Sequence, residues 1–176
     1  EKDIHSGIGE MIKVHAINGP SSFDDISSQY ENLLLNPEVM ESFIYQSLLM
    51  KKKLIEVDEF DTGVRNVMNY GHSFGHAIEA ATNYAVPHGI AVTIGMDMAN
   101  FVAAQLGITS NHHYERMHEL LRKNYQGYSH VEIDLRKLLQ AMQKDKKNTA
   151  SQLRLILPDV QGKITVGLYN NDELLV

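Results

Sequence analysis

The chain has 176 residues, 43% of them hydrophobic, which suits one globular domain that can bury a core without staples. It has no cysteine, which excludes disulfides, thiolate zinc sites and cysteine nucleophiles and leaves imidazole, carboxylate or water to hold any metal. The formal charge of -6 without a long basic run argues against a nucleic-acid partner, no stretch has the apolar length of a membrane span, and the opening EKDIHSG lacks signal-peptide order, so a cytoplasmic protein is expected.

Ile8, Met11, Ile12 and Ala16 recur at helical spacing and predict a first helix over residues 5–17, stopped at Asn18-Gly19-Pro20. Ser21-Ser22-Phe23-Asp24-Asp25 reads as the capped start of a short second helix carrying Ile26, Tyr30 and Leu33. Asn36-Pro37 opens a longer one, expected to reach Leu54 or Ile55. The acidic VDEFDTG is a loop leading into Val64–Met68. Helices follow around residues 71–84, 88–105, 111–124 and 132–142. Alternating Leu153, Leu155 and Leu157, then Pro158-Asp159, Gly162, Ile164 and Val166, predict a β-hairpin. Asn170–Glu173 would cap a last helical turn.

The stretch NYGHSFGHAIEAATNYAVPHG concentrates the chemistry. His72 and His76 stand four apart, so both imidazoles leave one helix face about a turn apart. Two surface histidines at that spacing are common, but Gly71 and Gly75 clear the same face for a ligand or another backbone. His88 follows one chain reversal and could return towards the pair; alone, it reads equally well as a residue at a helix start. Glu10 in GIGEMIK would complete a carboxylate with two imidazoles, a donor set that suits catalytic zinc with an open position. Cations gather at Lys13, at Lys51-Lys52-Lys53 with Arg65, and at Lys146-Lys147. Such runs are usually solvated faces, but several directed at one cleft could hold a phosphate or carboxylate, with Asn69 as a neutral donor. His5, His15, His112, His113, His118 and His130 have no evident partners in the sequence. Ser73 lacks a G-x-S-x-G elbow, and there is neither G-x-G-x-x-G after a strand nor a P-loop lysine, so no dinucleotide site is expected within the chain.

SGIGEMIK, GVRNVMNYGHSFGHAIEA, PHGIAVTIGM, and KDKKN followed by LRLILPDVQGK together resemble, in order and over nearly the whole chain, the C-terminal domain of the 3-dehydroquinate synthase family, within the sugar phosphate cyclases. The resemblance implies a mainly α fold: a helical metal and substrate domain, residues 1–176, with a small β-hairpin, from a two-domain enzyme. Its Rossmann-like NAD domain is absent from this chain, so the chain alone is expected to be catalytically silent. The implied metal ligands are Glu10, His72 and His88, holding Zn2+ or another divalent ion such as Co2+. His76, Lys13 and Arg65 fall on catalytic positions; Lys51, Asn69 and Lys146 fall on substrate-binding ones. The implied reaction takes 3-deoxy-D-arabino-heptulosonate 7-phosphate through transient oxidation by NAD, loss of phosphate, re-reduction and an intramolecular aldol closure to 3-dehydroquinate. Homodimers are usual in such a family, so the expected partners are the NAD domain, a second copy and a small anionic sugar phosphate.

Ile90 stands where a glutamate usually follows H-G, SGIGE replaces a more familiar methionine-alanine version, and the ending is short. These departures bear on substrate more than on fold. Related cyclases making 2-deoxy-scyllo-inosose or 2-epi-5-epi-valiolone tend to lose the arginine or second histidine, so Arg65, Asn69 and His76 together favour a carboxylated substrate. A metal-dependent polyol dehydrogenase and a non-catalytic metal-binding module are the other readings.

Overall fold

The computed structural model describes residues 2–60, 63–143 and 152–170. Its helices are α1 Lys2–Asn18, α2 Pro20–Ser28, α3 Tyr30–Leu35, α4 Pro37–Val57, α5 His72–Ala81, α6 His88–Gln105, α7 Asn111–Tyr125 and α8 Leu135–Gln143. Strands β1 Gln152–Pro158 and β2 Ile164–Asn170 form an antiparallel hairpin. The fold is thus mainly helical with one small hairpin, as the sequence led us to expect.

The centre of the molecule is α6. Ile90, Val92, Met96, Ala99 and Ala103 are buried on several of its faces, as expected of a helix that is apolar nearly all round. Two neighbours approach it at glycines. α1 meets it where Gly9 faces Gly89: a Cβ on Gly9 would collide with the Gly89 carbonyl and the Thr93 hydroxyl, and one on Gly89 with the Ser6 carbonyl. α5 meets it through Gly75, where a Cβ would lie only 3.1 Å from Val92 Cα, and through Gly95, where a Cβ would strike the Gly71 carbonyl. Backbone contacts this close are available only without side chains.

Ile8, Ile12, Phe23, Ile26, Tyr70, Met96, Met117, Leu121, Leu155, Leu157 and Ile164 form the main core. Each such side chain contributes on the order of 1.5–3 kcal/mol by leaving water. A second cluster, Ala77, Ile78, Ala81, Val86, Ile90, Ala91 and Leu138, fills the space around α5, α6 and α8. Polar ties cross the core as well: Tyr30 Oη donates to Asn124 Oδ1 at 3.1 Å, and Asn124 Nδ2 lies 3.1 Å from both the His5 carbonyl and Thr93 Oγ1. In the hairpin Gln152 pairs with Asn170 and Pro158 with Ile164. Asp159 Oδ1 closes its turn by accepting from Gln161 N at 2.8 Å and Lys163 N at 3.0 Å.

Several expectations need correction. The short second helix is two, α2 and α3, broken at Gln29, where the backbone leaves helical geometry at φ -101 and ψ 3. Val64–Asn69 is a 3-10 helix. The helix expected over 71–84 ends at Ala81, because Asn83 and Tyr84 turn left-handed at φ 51 and 60. α8 begins at Leu135, with Asp134 Oδ1 accepting from Arg136 N at 2.9 Å. Asn170 ends β2 instead of capping a helix, and residues 171–173 lie outside the described residues. Gly71 and Gly75 do clear a face, but the backbone they admit is that of α6. Among the described residues, no helix is long and apolar enough to cross a membrane.

Candidate metal centre

The glycine contacts set the site by adjacency. Glu10 follows Gly9 on α1, His88 precedes Gly89 at the start of α6, and His72 and His76 flank Gly75 on α5. Pinning the three glycine-bearing segments together brings the polar neighbours together too. One ligand atom each from Glu10, His72 and His88 lie within 4.8 Å of one another. The three imidazoles touch one another: His72 meets His76 and His88 edge to face, with ring centroids 5.2 Å and 5.3 Å apart, and His76 and His88 stack at 5.8 Å.

Electrostatics around Glu10 are those of a shared anion. Lys13 Nζ lies 3.1 Å from Oε1 and 3.0 Å from Oε2, Lys51 Nζ lies 3.8 Å from Oε2, and His88 Nε2 lies 3.9 Å from Oε1. Burial alone would raise the carboxyl pKa, but the charge and hydrogen bonds of Lys13, with Lys51 beyond, hold it below the ordinary value. Lys13 is pulled the other way than its ion pair suggests. It is 3% exposed, and that burial, with the Lys51 charge added, lowers its pKa in spite of Glu10. The bidentate geometry nevertheless favours the charged pair.

His72 Nδ1 faces the Tyr70 carbonyl at 3.2 Å, so a proton on Nδ1 leaves the Nε2 lone pair free to ligate. Burial, then the nearby Lys13 charge, depresses its pKa to about 4, so the ring is neutral at physiological pH. A carboxylate with a neutral imidazole and a second imidazole fits a borderline divalent ion. Two tetrahedral ligands at normal zinc distances sit roughly 3.3 Å apart. The observed 3.9 Å between Glu10 and His88 is close to that.

The structure therefore gathers Glu10, Lys13, Lys51, His72, His76 and His88. Arg65 and Asn69 make local contacts instead: the Arg65 guanidinium donates to the Glu59 carbonyl at 3.0 Å, and Asn69 Nδ2 to the Asn66 carbonyl at 3.3 Å. Lys146 lies outside the described residues. Sequence reasoning missed Glu79, whose Oε1 lies 3.2 Å from His88 Nδ1. The signal was present, since Glu79 follows His76 by three residues and His72 by seven on the same helix face. It also missed partners elsewhere. His15 Nδ1 meets Ser22 Oγ at 2.8 Å, and His118 Nδ1 meets Asp97 Oδ2 at 2.8 Å.

The chain is similar to known proteins in sequence and in fold. A family profile described as 3-dehydroquinate synthase C-terminal matches residues 7–148. A 3-dehydroquinate synthase of Dehalococcoides mccartyi is 34% identical over 158 residues, covering 89% of this chain and 44% of that protein. The one from Helicobacter pylori is 33% identical, covering 100% and 50%. The chain thus spans about half the length of the curated relatives it matches. In fold it resembles a 2-deoxy-scyllo-inosose synthase crystallised with carbaglucose-6-phosphate, NAD+ and Co2+, with a TM-score of 0.81 at 20% identity over 97% of this chain and 50% of that one. It also resembles a 2-epi-5-epi-valiolone synthase from Streptomyces hygroscopicus with NAD+ and Zn2+ bound, with a TM-score of 0.78 at 18% identity over 93% and 46%.

Proposed function

We propose, from the premise that the chain belongs to the 3-dehydroquinate synthase C-terminal family, that it is the metal and substrate half of an enzyme converting 3-deoxy-D-arabino-heptulosonate 7-phosphate to 3-dehydroquinate and phosphate. The observation that carries this reading is the convergence of Glu10, His72 and His88 within 4.8 Å, with two lysines against the same carboxylate. In this reading the remaining half of the longer protein supplies NAD, and two copies associate as a homodimer.

Glu10, His72 and His88 would hold a divalent metal, Zn2+ or Co2+, which supplies Lewis acidity towards an alcohol or carbonyl oxygen of the substrate. Lys13 and Lys51 present ammonium groups at the same place and hold an anionic substrate by charge. His76 is exposed beside both ligand imidazoles, so it can exchange a proton with a bound substrate without leaving the cluster. Arg65 and Asn69, on the 3-10 helix just before α5, are assigned to substrate anchoring, as is Lys146. Retention of Arg65 and His76 favours a carboxylated substrate over those of the related cyclases.

The test uses the longer polypeptide that carries this chain, supplied with the heptulosonate phosphate, NAD and a divalent metal. Phosphate and 3-dehydroquinate should form in equal amounts without accumulation of NADH. Net NADH would point to a polyol dehydrogenase and sink the synthase reading. The 176-residue chain alone should show no turnover in the same assay.

A further inference from the structure

His88 stands between two carboxylates from different helices. Its Nε2 faces Glu10 Oε1 at 3.9 Å, and its Nδ1 faces Glu79 Oε1 at 3.2 Å. We propose that Glu79 is the positioning residue of the centre: it takes the Nδ1 proton of His88 in a hydrogen bond and so presents Nε2, with its lone pair, to the side where Glu10 and His72 meet. This rests on the metal-site reading above and extends it to a residue that touches neither substrate nor metal.

Neutral imidazole has one N–H and one lone pair, and its partner at one nitrogen decides which role the other plays. His72 has such a partner in the Tyr70 carbonyl. His88 opens α6 with its side chain 46% exposed, and its ring contacts with His72 and His76 do not select which nitrogen carries the proton. Glu79 does. Its side chain is only 13% exposed, and its backbone lies at the clamped end of α5, where its carbonyl accepts from Tyr84 N at 2.8 Å. The left-handed Asn83 and Tyr84 that end α5 thus anchor the residue that aims the first side chain of α6. A carboxylate behind a ligating histidine both orients the ring and raises its basicity, and loss of such partners typically weakens metal binding about 10–100-fold.

Glu79 also belongs to a second group, with His76 and His88, whose ligand atoms lie within 4.8 Å. The alternative, a second metal ligated by Glu79, is therefore an outcome of the same experiment. The experiment compares the chain with its Glu79→Ala and Glu79→Gln variants. One measurement is the His88 tautomer in the metal-free protein by nitrogen NMR at alkaline pH; the other is Co2+ and Zn2+ affinity and stoichiometry by chelator competition. We expect an Nδ1–H tautomer in the wild type, its loss in Glu79→Ala with one-equivalent binding weakened roughly 10–100-fold, and near-wild-type behaviour in Glu79→Gln, which keeps an acceptor oxygen. Unchanged tautomer and affinity in Glu79→Ala would overturn the proposal. So would a second equivalent of metal in the wild type that disappears in Glu79→Ala, because Glu79 would then be a ligand. If the wild type binds no metal, the metal-site reading falls, and the tautomer comparison still decides the role of Glu79.

Discussion

Along α6, His88 at the first position and Asp97 further on each belong to a polar cluster that contains histidine, and the two clusters are built differently. At the first, Lys13, Lys51 and His88 gather at Glu10, His88 also meets Glu79, and His72 and His76 pack against the same ring. At the second, one buried carboxylate is matched to its donors: Asp97 Oδ2 accepts from Tyr125 Oη at 2.7 Å and faces His118 Nδ1 at 2.8 Å. Burial, reinforced by that carboxylate, pushes the Tyr125 phenol pKa upward, so it stays a donor. Several ligating groups around exposed rings such as His76 and His88 suit binding, whereas one buried carboxylate matched to its donors between two helices suits stability. Both clusters set imidazole against carboxylate, but the first adds two lysines and further imidazoles, whereas the second adds one tyrosine hydroxyl.

The sharpest way to break this contrast is to remove a ligand. His72→Ala or His88→Ala should weaken Zn2+ or Co2+ binding at least about 100-fold, or about 2.7 kcal/mol, while His76→Ala leaves most of it. Competition titrations on the three variants decide the matter, and equal losses would erase the division of roles. Next in size, Asp97→Ala should lower stability by about 2–3 kcal/mol in urea unfolding, through lost hydrogen bonds to a charged group. Its metal affinity should not change; a parallel fall in affinity would mean that the two clusters are one site.

Gly75→Ala should hurt both regions at once. Its Cβ, 3.1 Å from Val92 Cα, must push α5 from α6, costing about 1–3 kcal/mol as overpacking. Thermal melts and metal titration should both register it; a variant as stable and as tight as wild type would show that the helices have slack. The mildest perturbation is pH in the presence of chelator. The folded-state pKa of His72 is depressed from 6.5 to about 4, so the unfolded chain binds its proton first. The stability tied to its neutral form is therefore complete above the unfolded value and is lost as pH falls through about 4. A His72→Gln variant should lose less stability than wild type over that window.

What the sequence disclosed followed the range over which its signals act. The His72 and His76 spacing and the proline-glycine frame of His88 are local, and helix periodicity made them readable. Glu10 lies far away in the chain and entered as a candidate only by chemical complement. Glu79 was hidden by looking ordinary, an acidic residue within a helix. The Asp97 and His118 pair spans two helices, with neither residue in a motif, so nothing short of the packing reveals it. The break at Gln29 between α2 and α3 carries no glycine or proline. Ile90, marked in the sequence as a departure, proves fully buried against the cluster that holds Ile78 and Leu138, where an unpaired carboxylate would be costly.

The crossing of Gly9 with Gly89 carries a consequence for how such a protein can change. Distances set by interlocking side chains can be retuned by swapping one rotamer or one methyl group. A distance set by bare backbone against backbone has no such adjustment, because it already stands at its minimum. Substitution there can only lengthen the gap between α1 and α6. New specificities on this scaffold should therefore arise from the residues that look into the cleft, with the gauge of the cleft itself inherited intact.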